Sequence, residues 1–161
     1  MKIVSVLRTI ATAGIVLGCT VAGPGLRSAS AQPVNCPGAS CDVNVTVTGN
    51  PSSPTVGVSA NELKMERGQR NVMITWKLMS APDYEFRADS IKPHIGAPTA
   101  GKPTTTQAAW NAQIQFQNSN ATQYKVKNGN AAAAMLYYDV TVYRKSTGAP
   151  TVLDPVIMND P

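Results

Sequence analysis

Glu62-Leu63-Lys64-Met65 and Val72-Met73-Ile74-Thr75-Trp76-Lys77-Leu78 are two alternating runs that flank Arg67-Gly68-Gln69-Arg70. An extended strand sends successive side chains to opposite faces, so Leu63 and Met65 share one face, as do Val72, Ile74 and Trp76. Gly68 can supply the positive φ of a two-residue hairpin turn. In that hairpin Leu63 faces Ile74, Met65 faces Val72, and Trp76 extends the same apolar side, an agreement that a one-residue slip would destroy. The rival is a strand that bends at Gly68 and crosses to an opposite sheet, as in Greek-key sandwiches. Trp76 is expected in a core with Leu63, Met65, Val72 and Ile74.

The same period recurs on both sides. Val43, Val45 and Val47 alternate with Asn44, Thr46 and Thr48, and after a Pro- and Ser-rich loop Val56 and Val58 resume the pattern. Tyr84 and Phe86 alternate with Asp83, Glu85 and Arg87, and Ile91 closes that run. Residues 92–106, rich in proline, glycine and threonine, read as an exposed connection. Ile114 with Phe116, and Tyr124 with Val126, alternate with polar residues. In the last long run Leu136, Tyr138, Val140 and Val142 form the core face, and Tyr137, Asp139, Thr141 and Tyr143 the other. A two-residue turn at Asn128-Gly129 would pair the wrong faces, so 128–134 is expected to be a longer loop or a bulge. A short strand near Thr151 to Leu153 precedes Asp154-Pro155 and Val156-Ile157-Met158. No segment shows helical periodicity, and the alanine run at 131–134 is too short to nucleate a helix. About seven or eight short strands separated by turn signals predict an all-β, antiparallel sandwich.

The N-terminus has a different character. Lys2 and Arg8, an apolar stretch from Thr9 to Ala22, a break at Pro24-Gly25 and the small residues Ala29-Ser30-Ala31 follow the order of a signal peptide, 1–31, with cleavage before Gln32. The polar and glycine-rich content of the stretch argues against a retained anchor, and no transmembrane span is expected in the mature chain. Val16-Leu17-Gly18-Cys19 is a degenerate lipobox, and the alternative to a secreted or periplasmic protein is one lipid-anchored through Cys19. The remaining residues, 32–161, suit a single domain. Losing Lys2, Arg8 and Arg27 takes the 14 basic residues to 11 against 9 acidic ones, so the net charge falls from +5 to +2. So small and scattered an excess leaves no electrostatic footprint for nucleic acid. Cys36 and Cys41 are expected to be disulfide-bonded, because an exported protein meets an oxidising compartment.

Catalytic and metal chemistry find little support in residue types. His94 is the only histidine, so any Ser/His/Asp or Cys/His centre would have to use it, and it falls in the loop Lys92-Pro93-His94-Ile95-Gly96. Blue copper needs two histidines and a thiolate, and zinc fails on the same count of histidine and cysteine, so neither a metal nor another cofactor is expected. Asp83 and Glu85 share one face of a strand and read as a solvated surface, and Asp154 before Pro155 reads as a turn or cap residue. The face bearing Tyr137, Asp139, Thr141 and Tyr143 is the one surface candidate, since outward tyrosines offer rigid area with a polar tip. Such tyrosines also simply pair across strands.

Leu136-Tyr137-Tyr138-Asp139-Val140-Thr141-Val142, then Val152-Leu153-Asp154-Pro155-Val156-Ile157-Met158-Asn159, together with Val72-Met73-Ile74-Thr75-Trp76-Lys77-Leu78, resemble a group of small secreted bacterial β-sandwich proteins of unknown function. That group carries an I-T-W-x-L strand, a Y-x-Y-x-V-x-V strand and an L-D-P-x-I-x-N terminus. The resemblance implies an immunoglobulin-like or cupredoxin-like sandwich in a bacterial envelope or extracellular setting, and brings no active site. The residues favour a non-enzymatic binding or interaction module, its partner a protein or envelope component. A carboxylate-based hydrolase would need Asp83, Glu85 or Asp89 to converge with Asp139 or Asp154 in one pocket. An adhesin or pilus-type subunit would need an open edge strand.

Overall fold

The computed structural model describes residues 33–95 and 103–160. The leader expected over 1–31, with Cys19 inside it, lies outside these residues. The described residues build two sheets that enclose one apolar core, an all-β sandwich. The first sheet runs in the order β1 (Val34–Cys36), β4 (Glu62–Met65), β12 (Val156–Asn159), β10 (Ala134–Arg144) and β11 (Pro150–Leu153), with β6 (Tyr84–Glu85) and β7 (Ile91–Pro93) also paired to β10. The second runs β3 (Ser53–Val58), β2 (Ser40–Asn50), β5 (Val72–Met79), β9 (Gln123–Asn128) and β8 (Ile114–Ser119). Both sheets are mixed rather than purely antiparallel, because β1 with β4, β4 with β12, and β2 with β5 are parallel. Each of these pairings joins strands whose connection has travelled through the opposite sheet.

The core forms from the alternating residues expected of it. Val43, Val45, Ile74, Trp76, Tyr124 and Val126 of the second sheet meet Leu63, Met65, Leu136, Tyr138, Val140, Val142 and Ile157 of the first, all of them buried. The hairpin between Glu62 and Leu78 does not exist. β4 pairs with β1 and β12, whereas β5 pairs with β2 and β9 in the other sheet, so the chain crosses the sandwich through Gly68 (φ +80°) and Asn71 (φ +56°). The crossing keeps the expected faces, since the inner sides of both sheets open on the same core. The chain crosses back between Asn128 and Ala134, where a loop rather than a tight turn was expected.

Two further departures have local causes. Gln107–Gln113 is a short helix, α1, in a chain where no segment was expected to be helical; Thr106 caps it by accepting a hydrogen bond from the Ala109 amide (3.1 Å). Only Trp110 and Gln113 of this helix are buried, too few positions to write a helical period into the sequence. Phe116 has the phase of a core residue but is exposed, because β8 is an edge strand whose register with β9 shifts between Phe116 and Asn118.

Cys36 and Cys41 are bonded, with Cα atoms 5.2 Å apart. The bridge joins β1 of the first sheet to β2 of the second across a turn at Gly38 (φ +85°). Closing so short a loop removes little unfolded-state entropy, so Cys36→Ser with Cys41→Ser is expected to cost only about 2 kcal/mol. Urea midpoints of the two forms measure it, and failure of the variant to fold would make the bridge indispensable to the sandwich.

Candidate functional site

The site is set by how strands line up along β10. Its C-terminal half pairs with β11 and its N-terminal half with β12, and the two ladders share one register. β11 and β12 are therefore one strand interrupted at Asp154-Pro155, and the register carried through the break sets Asp154 opposite Asp139. On the other flank β7 places Lys92 opposite Asp139, and the His94 amide donates to the Tyr137 carbonyl (2.9 Å), so the ladder reaches one residue beyond β7. The chain returns at Thr105, whose amide donates to the His94 carbonyl (2.9 Å) and whose hydroxyl accepts from the Tyr137 amide (2.7 Å). The expected exposed connection over 92–106 is thus partly built into the sheet, and Thr105 is buried.

On the outer face of this sheet His94, Asp139 and Asp154 converge. His94 Nδ1 lies 2.7 Å from Asp139 Oδ1 and 3.9 Å from Asp154 Oδ1. The three side chains retain only 15 %, 15 % and 21 % of their exposure, enough shelter for their charges to act strongly on each other. Like charges directly opposed across a ladder repel, and the register sets the Asp139 and Asp154 carboxylates side by side. Burial raises the pKa of the Asp139 carboxyl above its ordinary value; the hydrogen bond and charge of His94 pull it down, and those of Asp154 push it up again. His94 Nε2 is buried and makes no hydrogen bond among the described residues.

A cavity of about 260 Å³ opens against this cluster. His94 and Asp154 contribute to its wall together with Tyr137, Pro155 and Val156, and Asn61 and Pro103 complete it. A slightly larger cleft, about 300 Å³, lies between the β2–β3 turn and β11. Among the described residues its one charged group is Arg144, stacked over the Tyr84 ring at 5.8 Å, and no metal-ligating cluster adjoins it. The smaller cavity is the better candidate, since an apolar hollow with a few convergent polar groups is the usual form of a ligand site.

The residues singled out in the sequence divide between two ends of β10. Tyr137 and Asp139 belong to the cavity and its cluster. Thr141 is buried, so it offers no surface. Tyr143 is half-buried under the Arg87 guanidinium, 4.6 Å from the ring centre, and its hydroxyl donates to Asp89. Burial and the neighbouring Asp89 carboxylate push the Tyr143 hydroxyl up to about 12. Tyr143 therefore ties down the 86–90 turn. Glu85 is held by Arg87 (3.0 Å), so neither Glu85 nor Asp89 joins Asp139 and Asp154. Sequence reasoning placed His94 in a loop and Asp154 in a turn, both locally apt. It missed their meeting because the register of three strand segments produces it.

No helix among the described residues is long and apolar enough to cross a membrane. The chain matches no protein-family model and no curated protein.

Proposed function

We propose that the chain is an exported, non-enzymatic binding module whose ligand seats in the cavity beside His94, Tyr137 and Asp154. The cavity itself carries this reading: apolar walls from Pro155, Val156 and the Tyr137 ring meet the polar groups of His94 and Asp154, which the pairing along β10 holds in place. The Cys36–Cys41 disulfide favours a secreted or periplasmic setting, where such bonds persist. A carboxylate-based hydrolase is disfavoured, because Glu85 is held by Arg87 and Asp89 by the Tyr143 hydroxyl, away from Asp139 and Asp154. At the β8 edge of the second sheet, strand capture of the adhesin type is disfavoured by the bulge, which breaks the ladder that a strand docking there would continue.

Capture of a partner from an envelope fraction tests the site when it is run as a comparison of variants. Tyr137→Ser and Val156→Asp, at paired positions of β10 and β12 in the cavity wall, are expected to reduce capture at least tenfold. Tyr143→Phe is expected to leave it unchanged. Equal capture by all three would remove the cavity as the binding site.

A further inference from the structure

We propose that His94, Asp139 and Asp154 form a divalent-cation site, and that Zn²⁺ is the ion its donors fit first. One imidazole nitrogen and two carboxylate oxygens lie within 4.8 Å of one another, each from a different segment: the end of β7, the middle of β10 and the β11–β12 break. Two ligands each about 2.1 Å from a tetrahedral ion stand about 3.4 Å apart. The 2.7 Å and 3.9 Å separations from His94 Nδ1 to the two carboxylates bracket that spacing, so small side-chain movements would complete the site. Three protein ligands with a fourth position left open is a common zinc arrangement, and the adjoining cavity supplies both the entry path and the room for that fourth ligand.

The donor set also selects among ions. Ca²⁺ and Mg²⁺ prefer shells made wholly of oxygen, whereas imidazole favours zinc and its transition-metal neighbours. Counting histidines and cysteines alone excluded zinc from the sequence; the two aspartates bring the ligand number to three. An ion between them would replace the repulsion of two opposed carboxylates with attraction. Coordination at Nδ1 leaves the ring proton on Nε2. This inference stands whether or not the cavity takes a partner, and it is tested on the chain alone.

The untagged protein, stripped with a chelator, is titrated with Zn²⁺ and separately with Ca²⁺ by calorimetry. The expected result is one equivalent of Zn²⁺ per chain, with Ca²⁺ at least tenfold weaker. Asp154→Asn and His94→Gln are each expected to weaken Zn²⁺ at least tenfold. Without metal, Asp154→Asn should melt no lower than the unaltered protein, since it relieves the opposed charges. Because the sequence has a single histidine, the imidazole ¹⁵N resonances of the unaltered protein report on His94 alone. Zn²⁺ should shift them, and this readout does not depend on any variant folding. Absence of Zn²⁺ binding, an unmoved His94 signal, or equal affinity in folded Asp154→Asn would overturn the site.

Discussion

Trp76→Ala is expected to destabilise the protein by about 3–5 kcal/mol, the range for truncating an aromatic in a tight core. The indole is fully buried near the middle of the sandwich, edge-on to Tyr138 of the facing sheet at 5.6 Å and to Tyr124 of the neighbouring strand at 6.4 Å. Such edge-to-face pairs contribute about 0.5–1.5 kcal/mol each beyond the area they bury. Leu63, Met65, Val72 and Ile74 are also wholly buried on strands of both sheets, so little slack exists for the core to collapse into the hole. Domains of this size are stable by about 5–15 kcal/mol, so the loss is a large share of the whole and should be plain in urea midpoints at constant slope. A change below about 1 kcal/mol would mean that Trp76 does not link the two sheets.

The same residue shows how far the sequence could be read. Alternation determines which face of a strand is apolar, and a sandwich has one core that both sheets face. Leu63, Met65, Val72, Ile74 and Trp76 are therefore buried whether Gly68 closes a hairpin or carries the chain across to the other sheet. The pattern is degenerate between those topologies, and the parallel pairing of β4 with β12 and of β2 with β5 leaves no local trace. Phe116 marks the opposite limit, a core-phase aromatic left outside because edge position and a bulge are properties of the assembled sheet.

The site obeys the same rule. The phase of β10 was legible, so Asp139 and Tyr137 fell on the correct side of the sheet. What the sequence could not supply was register: the lone histidine and Asp154 each sit at the end of a short pairing segment, and they reach Asp139 only because β7 and the β11–β12 ladder align as they do. Thr141 and Tyr143 had the same phase, yet one is buried and the other is packed under Arg87. An outward phase is thus necessary for a surface site and insufficient for one.

Asn128→Ala is expected to cost about 3 kcal/mol, a loss comparable to a core truncation from a residue that contributes almost no apolar area. Asn128 ends β9 in the second sheet, and its side chain faces Asn159 of β12 in the first; both are buried. The Asn128 amide donates to Asn159 Oδ1 (2.7 Å), the Asn159 amide donates back (3.3 Å), and Asn128 Oδ1 also accepts from the Asn130 amide (3.0 Å). Asn130, buried with φ +44°, in turn donates through Nδ2 to the carbonyls of Glu66 (3.2 Å), Gln69 (3.0 Å) and Asp160 (3.3 Å). Gln113 joins from the end of α1, accepting from the Ala131 amide (2.8 Å). This network fastens two of the crossings between the sheets, the one through 66–71 and the one through 129–133. Removing Asn128 leaves the Asn159 carbonyl and the Asn130 amide buried without these partners, at about 1–3 kcal/mol per group. A double-mutant cycle with Asn159→Ala separates the pair from its surroundings, and a coupling of about 1–2 kcal/mol is expected because each amide serves the other. Single changes below about 1 kcal/mol that simply add would show that water takes over these bonds and that the crossings are held by apolar packing alone.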